Sequence, residues 1–321
     1  MKIFVDLGLS PSALETLQNG TSGHQLLFPQ NPTSSVLAKA DPDPLLADAD
    51  IAFGQPDTKA IEGAEHLRWI HVSSSGITRY DNPQFRQLMA ERRIPVTNSA
   101  SVYCEPCAVH VLSFILAQTR NLPAALTTRT ENGSRTWKDL RHTSSTLRGE
   151  TVLILGFGAI GKRLTELLLP FKVKVIAYRR QARGDEGVPV VTENQLPATL
   201  READHIVNIL PDSPETRDFF NSARFAGIKP GATFYNIGRG TTVDQNALVE
   251  ALRSGRIKAA WLDVTDPEPL PADHPLLNEP NCFITPHIAG GHQDETKSLV
   301  LHFLENFKRF INNEPLRDRV M

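Results

Sequence analysis

The chain has 321 residues, more than one hydrophobic core usually accommodates, so two domains are expected. Hydrophobic residues make up 40% and charged residues 22%, and the net charge is −2, so we expect small-molecule partners and no nucleic acid. No apolar run approaches the roughly 18 residues of a membrane span, so we expect no membrane association. Three cysteines form no disulfide framework, which fits a reducing, cytoplasmic setting.

The first hundred residues alternate short apolar runs with helix-like stretches, and KIFVD at the start reads as a strand, not a signal peptide. Ser10 and Pro11 predict the N-cap and first residue of a helix. Further strands are predicted at DIAFG, RWIHVSS and IPVTN, and strands separated by helices indicate a parallel α/β sheet. Helical spacing predicts a long helix over 101–120. We interpret the polar stretch after it as a surface connection anchored by Trp137.

The pattern restarts at TVLILGFGAIGKRLTELLLPFKVKVIAY, which predicts a strand, a glycine turn, a helix and a second strand. Gly156, Gly158 and Gly161 form G-x-G-x-x-G, in which the glycines permit a tight turn, pyrophosphate approach and close helix packing. The beginning of the helix offers free N–H groups and a positive dipole end to phosphate. This complete unit predicts a dinucleotide cofactor.

The end of the second strand bears on the choice of cofactor. A carboxylate there would bind the ribose 2′-hydroxyl of NAD, but the chain has Arg179 and Arg180, with Arg183 nearby. Arginine is suited to a 2′-phosphate through its charge and paired donors. We therefore expect NADP to be preferred, with NAD as the alternative; the arginines could also be solvated surface charges.

A further strand is predicted at HIVNILP, and three later strand candidates end in groups suited to one reaction. FYNIG runs into Arg239, AAWLDV leads to Glu268, and CFITP ends at His287. Reduction of a 2-keto acid needs a cation for the carboxylate and keto oxygen, which arginine supplies. It also needs a proton donor, which histidine supplies, and a carboxylate beside that histidine orients it and favours its protonated form.

These segments resemble the D-isomer-specific 2-hydroxyacid dehydrogenase family across nearly the whole chain. The matching segments are LILGFGAIG, VNILPDSPETR, NIGRG, LDVTDPEPL and TPHIAG. The family includes glyoxylate/hydroxypyruvate reductases, phosphoglycerate dehydrogenases and D-lactate dehydrogenases, with formate dehydrogenases and some corepressors as relatives. The resemblance implies an NAD(P)-dependent enzyme that interconverts a small 2-keto acid and a D-2-hydroxy acid, of the glyoxylate or hydroxypyruvate class.

The resemblance also implies an architecture and site residues. The architecture is α/β, with two Rossmann-like domains: a discontinuous substrate-binding domain, 1–99 and 288–321, and an inserted dinucleotide-binding domain, 100–287. Members are usually dimers joined through the nucleotide domain, so a homodimer is expected. The family's catalytic arginine, glutamate and acid/base histidine fall on Arg239, Glu268 and His287. Its other implied cofactor contacts are Ala159, Ile160, Leu210, Pro211, Thr216, Ile237, Gly238, Asp263 and Gly290.

The expected substrate contacts are Arg239, His287 and a loop with Ser74, Ser75 and Gly76. Relatives often have G-x-G-x-D in that loop, whereas residues 73–78 read SSSGIT, so hydroxyls replace glycine and the substrate preference stays open. A CxxC pair, residues 104–107, lacks a second cysteine pair to complete a zinc site, and we expect no metal.

Two other functions remain open. A formate dehydrogenase-like enzyme would have no alkoxide to protonate and typically pairs its histidine with glutamine, whereas this chain has Glu268. A dinucleotide-sensing corepressor would use the fold only for binding and would be expected to carry partner-docking extensions.

Overall fold

The computed structural model describes residues 1–35 and 41–321, which divide into two compact units. The first unit comprises Met1–Tyr103 and Gly291–Met321, and the second comprises Cys104–Gly290. Each unit has one parallel sheet with flanking helices, so the predicted α/β class is confirmed.

The described elements are numbered along the chain. The strands are β1 (Lys2–Asp6), β2 (Gln25–Leu27), β3 (Ile51–Gly54), β4 (Trp69–Val72), β5 (Val96–Thr97), β6 (Thr151–Leu155), β7 (Lys174–Tyr178), β8 (Val190–Val191), β9 (His205–Asn208), β10 (Ala232–Asn236), β11 (Ile257–Leu262) and β12 (Cys282–Ile284). The α-helices are α1 (Pro11–Gly20), α2 (Thr58–Gly63), α3 (Pro83–Arg92), α4 (Ala100–Thr119), α5 (Leu122–Thr127), α6 (Arg135–Thr143), α7 (Ala159–Leu168), α8 (Leu196–Leu200), α9 (Ser222–Gly227), α10 (Gln245–Arg253) and α11 (Glu295–Ile311).

The first unit has the strand order β2-β1-β3-β4-β5, and all its pairings are parallel. The predicted start of α1 is confirmed, because the Ser10 hydroxyl accepts a hydrogen bond from Ala13 N at 3.3 Å and Pro11 follows the cap. The ring of Phe303 in α11 stacks on Phe53 and Trp69 of the sheet, with centroids 4.4 and 5.2 Å away. The last helix therefore completes the core built by the first hundred residues.

The second unit has the strand order β12-β11-β10-β9-β6-β7-β8, again wholly parallel. The chain runs outward from β6 through β7 to β8 and then returns to β9 on the other side of β6. The strand order thus reverses between β6 and β9. In open parallel sheets the ligand crevice lies outside the carboxyl ends of the strands at such a reversal. The topology therefore directs attention to the loops after β6 and β9.

Helix α4 is the most apolar long helix among the described residues. It has 20 residues and is, by length and composition, apolar enough to cross a membrane. One such helix is weak evidence for a membrane span. In this structure, 28% of its most apolar 18-residue segment is buried. The long helix predicted over 101–120 is confirmed.

The polar stretch after α4 also differs from its prediction. It contains the helix α6, whose N-cap Ser134 accepts a hydrogen bond from Trp137 N at 3.2 Å. The Trp137 ring is partly exposed and lies under the Arg141 guanidinium, 4.6 Å from the ring centroid. Trp137 therefore packs against a residue of its own helix and does not anchor the connection in the core.

Candidate active site

The glycine turn after β6 leaves open space where a phosphate would bind. Gly156 has φ +88°, and a Cβ there would lie 2.4 Å from the carbonyl oxygen of Ile209. A Cβ on Gly161 would lie 3.1 Å from the Phe157 ring, so the third glycine permits close packing of helix and strand. A Cβ on Gly158, at the N-cap of α7, would meet nothing within 4 Å. The turn therefore fits a dinucleotide pyrophosphate at the beginning of α7.

Two buried asparagines, which the sequence reasoning missed, fix the neighbouring loops. The Asn208 amide nitrogen donates to Asn236 Oδ1 at 3.1 Å and to the Thr242 hydroxyl at 2.7 Å. The Asn208 side-chain oxygen accepts from Leu210 N at 3.2 Å, and the Asn236 oxygen accepts from Gly238 N at 3.0 Å. The signal available in the sequence was an asparagine at the end of each of two apolar strands, β9 and β10.

The turn that carries Arg239 is packed tightly against its surroundings. A Cβ on Gly238 would lie 2.6 Å from Leu210 O, and one on Gly240 would lie 2.0 Å from Thr265 O. Glycine is therefore required on both sides of Arg239, because a Cβ at either position would collide with neighbouring backbone atoms. The Arg239 side chain is half-buried, and its Nη1 donates to Gly238 O at 2.6 Å. This arginine is held at the carboxyl end of β10 instead of extending freely into solvent.

Glu268 and His287 form a hydrogen-bonded pair at the ends of β11 and β12. The imidazole Nδ1 lies 2.8 Å from Glu268 Oε2, while Glu268 Oε1 accepts from Thr265 N at 3.0 Å. Burial raises the pKa of Glu268, but the hydrogen bond and charge of His287, together with Arg239, outweigh it and the net pKa is lowered. Glu268 is therefore ionised near neutrality, and its use of Nδ1 leaves Nε2 as the ring atom for proton exchange.

The buried carboxylate of Asp263 organises the backbone around His287. Its Oδ1 accepts from the Thr285 hydroxyl at 2.6 Å and Ile288 N at 2.9 Å, and its Oδ2 accepts from Ala289 N at 2.8 Å. The backbone oxygen of Asp263 accepts from His287 N at 2.9 Å. His287 has φ +53°, a left-handed conformation that costs free energy outside glycine, and these bonds hold it there.

The remaining predicted cofactor contacts lie at the beginning of α7 or in loops that follow strands of the second sheet. Thr216 donates its hydroxyl to Pro211 O at 2.6 Å and accepts from Ser213 N at 2.9 Å, so it shapes its own loop. The other positions are grouped as follows: Ala159 and Ile160 begin α7, Leu210 and Pro211 follow β9, Ile237 and Gly238 follow β10, and Gly290 ends the unit.

The loop after β7 contains a carboxylate that the strand-end pattern did not include. Glu186 lies eight residues after β7, yet its Oε1 is 3.1 Å from Arg179 Nη1. The Glu186 side chain is 2% exposed. A rule that examines only the residues at the strand end does not find Glu186, because the loop after β7 folds back and brings Glu186 to Arg179.

The residues predicted to contact substrate, Ser74, Ser75 and Gly76, lie after β4 in the first unit. The Ser74 hydroxyl donates to Gly76 O at 2.7 Å, and Ser74 O accepts from Ser99 N at 3.0 Å. Ser75 O accepts from the Asn98 amide at 2.6 Å. The loop is thus fixed by its own unit, with the residues after β5 as its support.

A family model, curated relatives and solved structures all indicate the same protein family. The family model "D-isomer specific 2-hydroxyacid dehydrogenase, NAD binding domain" matches residues 112–289. The chain is 34% identical to glyoxylate reductase/hydroxypyruvate reductase of Homo sapiens over 81% of this chain and 79% of that protein. It is 31% identical to glyoxylate/hydroxypyruvate reductase B of Salmonella newport over 81% of both chains. A solved D-isomer specific 2-hydroxyacid dehydrogenase family protein of Aeromonas salmonicida superposes with a TM-score of 0.80 at 27% identity, covering 100% of this chain and 98% of that one.

Proposed function

Because this chain belongs to the D-isomer specific 2-hydroxyacid dehydrogenase family of nicotinamide-dependent oxidoreductases, we propose that it reduces a small 2-keto acid to a D-2-hydroxy acid. Glyoxylate and hydroxypyruvate are the proposed substrates, since similar proteins are named for both. The observation that carries the proposal is the 2.8 Å pair of Glu268 and His287, on the sheet edge that also carries Arg239 and the glycine turn.

We propose that Arg239 binds the substrate carboxylate and polarises the keto oxygen. Its planar guanidinium offers paired donors to a carboxylate, which a lysine would not. The tight packing of its flanking glycines supports the role, because it fixes the position from which the side chain extends. Loss of this cation should raise KM as well as lower kcat.

We propose that His287 is the general acid and that Glu268 positions it. As the keto group is reduced, negative charge develops on its oxygen, and this charge is costly in a dry cleft unless a proton arrives. With Nδ1 donating to Glu268, the proton leaves from Nε2. Asp263 supports the same geometry through the backbone of the following residues, Ile288 and Ala289.

We propose that the glycine turn holds the pyrophosphate of the cofactor, which supplies hydride when bound. The proposed contacts are the turn, the beginning of α7, the loops after β9 and β10, and Asp263 near the nicotinamide end. NADP is the proposed preference over NAD, because Arg179, Arg180 and Arg183 make the end of β7 basic. Glu186 opposes part of that charge.

We further propose that the first unit binds substrate through Ser74, Ser75 and Gly76, and that the second binds the dinucleotide. A homodimer joined through the second unit is supported by apolar side chains exposed on α4 and α5: Val109 is 43%, Leu122 42% and Leu126 81% exposed. A cytoplasmic location is supported by the low cysteine content, three in 321 residues, which provides no disulfide framework.

A panel of 2-keto acids assayed with NADPH and NADH tests this function. Turnover of glyoxylate or hydroxypyruvate, lost in His287→Gln with cofactor binding retained, is the expected result. Formate oxidation without keto-acid reduction would favour the formate dehydrogenase alternative, although a glutamate beside the histidine argues against it. Dinucleotide binding without turnover of any member of the panel would favour the corepressor alternative.

A further inference from the structure

The loop after β7 directs a carboxylate back onto the strand end. Glu186 Oε1 accepts from Arg179 Nη1 at 3.1 Å and from Arg183 N at 2.8 Å. Its Oε2 accepts from Gly184 N at 2.9 Å. The Glu186 side chain is 2% exposed and that of Arg179 15%, so the pair is largely removed from solvent.

These three donors form an anion receptor that the chain fills with its own side chain. Gly184 has φ +83°, which lets two successive backbone N–H groups, those of Arg183 and Gly184, point toward one anion. The hydrogen bond from Arg183 N is the largest of the effects that lower the pKa of Glu186, so the carboxylate is charged near neutrality. The same donors, two amides and a guanidinium, suit a phosphate group equally well.

The receptor lies where a dinucleotide's 2′ position is discriminated. In a strand–glycine turn–helix–strand unit, the adenosine ribose is contacted at the end of the second strand, here β7. Asp185, next to Glu186, forms an ion pair with Lys162 of α7 at 2.8 Å. The ion pair therefore holds the loop after β7 against α7, the helix whose beginning fits the pyrophosphate.

We propose that Glu186 is a specificity-determining residue, an internal anion that competes with the 2′-phosphate of NADP for Arg179 and so limits the preference for NADPH over NADH. This inference depends on the proposed binding of a dinucleotide at the glycine turn. The bound carboxylate neutralises one of the cations that would attract a 2′-phosphate. A 2′-hydroxyl has no charge, so the same carboxylate scarcely opposes it.

The test is Glu186→Gln, which keeps the shape of the side chain and removes its charge. Binding is measured by calorimetry with two fragments, adenosine 2′,5′-bisphosphate and 5′-AMP, so no turnover is needed. We expect the variant to bind the bisphosphate about tenfold tighter at low salt and 5′-AMP within about twofold of the wild-type affinity. The gain should shrink as salt is raised, because the attraction is screened.

A matched control is Asp185→Asn, which removes a charge from the adjacent residue of the same loop. Its carboxylate is paired with Lys162 and is 59% exposed, so we expect a clearly smaller change in the ratio of the two affinities. Glu186→Ala is a second variant that also removes the charge, and it must shift the ratio in the same direction.

The inference is overturned if both Glu186 variants leave the affinity ratio unchanged, or if they weaken bisphosphate binding. Weaker binding would mean that Glu186 orients Arg179 for the phosphate instead of competing with it. These outcomes are distinct from failure of the proposed function: a wild-type protein that binds neither fragment and no dinucleotide refutes both.

Discussion

Replacing Glu268 with glutamine should lower kcat/KM for keto-acid reduction by about tenfold. His287 must present a proton from Nε2, and the carboxylate 2.8 Å from its Nδ1 orients the ring and attracts its positive charge. Burial raises the pKa of Glu268, but the hydrogen bond and charge of His287, the Thr265 amide and Arg239 together outweigh burial, and the net pKa is lowered. Glu268 is therefore an anion throughout the assay range, and glutamine removes its charge while keeping its shape.

The size of the loss follows from the distance and the exposure of the pair. Opposite unit charges 2.8 Å apart attract by about 1.5 kcal/mol in a water-like dielectric. We use this lower limit because the side chains of His287 and Glu268 are 25% and 38% exposed and solvent screens them. At about 1.4 kcal/mol per factor of ten in rate, loss of this attraction should lower kcat/KM by about tenfold.

The assay is kcat/KM for glyoxylate or hydroxypyruvate from about pH 6 to pH 10, with cofactor saturating. Glu250→Gln removes the same charge from an exposed position on α10 and should leave the profile unchanged. His287→Gln should lower turnover by roughly 10²–10⁴-fold at every pH. Near-wild-type kcat/KM in Glu268→Gln, or near-normal turnover in His287→Gln, would refute the mechanism.

Three further predictions concern cofactor binding and stability. Gly158→Val should abolish dinucleotide binding, measured by calorimetry, because its side chain would fill the open space at the beginning of α7; unchanged affinity would contradict the site. Arg180→Ala should weaken NADPH binding several-fold more than NADH binding, and a larger loss for NADH would count against the NADP preference. Asp318→Asn should lower the free energy of unfolding near pH 7 by about 2 kcal/mol: burial raises the pKa of Asp318, but hydrogen bonds from His302 and Ser101 bring it to about 2. This difference should vanish as pH falls from about 4 to 2, and a denaturation series independent of pH would contradict it.

The central strands of the second sheet, β6, β9, β10 and β11, could be predicted closely because they are largely buried and are followed by strong turn signals. A short apolar run such as TVLIL, followed by glycines, is typical of a buried parallel strand. The strands missed by sequence reasoning, β2 and β8, are only three and two residues long. Such short edge strands form through pairing with a neighbour, here β1 and β7, and not through a pattern of their own.

The sequence shows which side chains are candidates for the site better than it shows which of them contact each other. Glu268 and His287 were predicted together because both follow strands that end at one edge. Glu186 was missed because its partner, Arg179, is reached only when Gly184 reverses the chain. The backbone role of Asp263 was missed for a similar reason: its hydrogen bonds go to amides after β12, and no spacing in the sequence shows them.

The proposed catalytic groups and the proposed selective groups are supported differently, and this has a consequence for specificity. Arg239 and His287 extend from backbone held by the buried side chains of Asn236 and Asp263, each at most 2% exposed. The proposed selective groups lie instead in loops, 73–78 for substrate and 179–189 for cofactor. Ser73 and Glu186 are buried, but the other residues of these loops are at least partly exposed, so most loop substitutions disturb few buried hydrogen bonds. Changes to the asparagines or Asp263 instead leave buried groups unsatisfied. Substrate and cofactor preference should therefore be alterable in these loops while the geometry of the Glu268–His287 pair is kept.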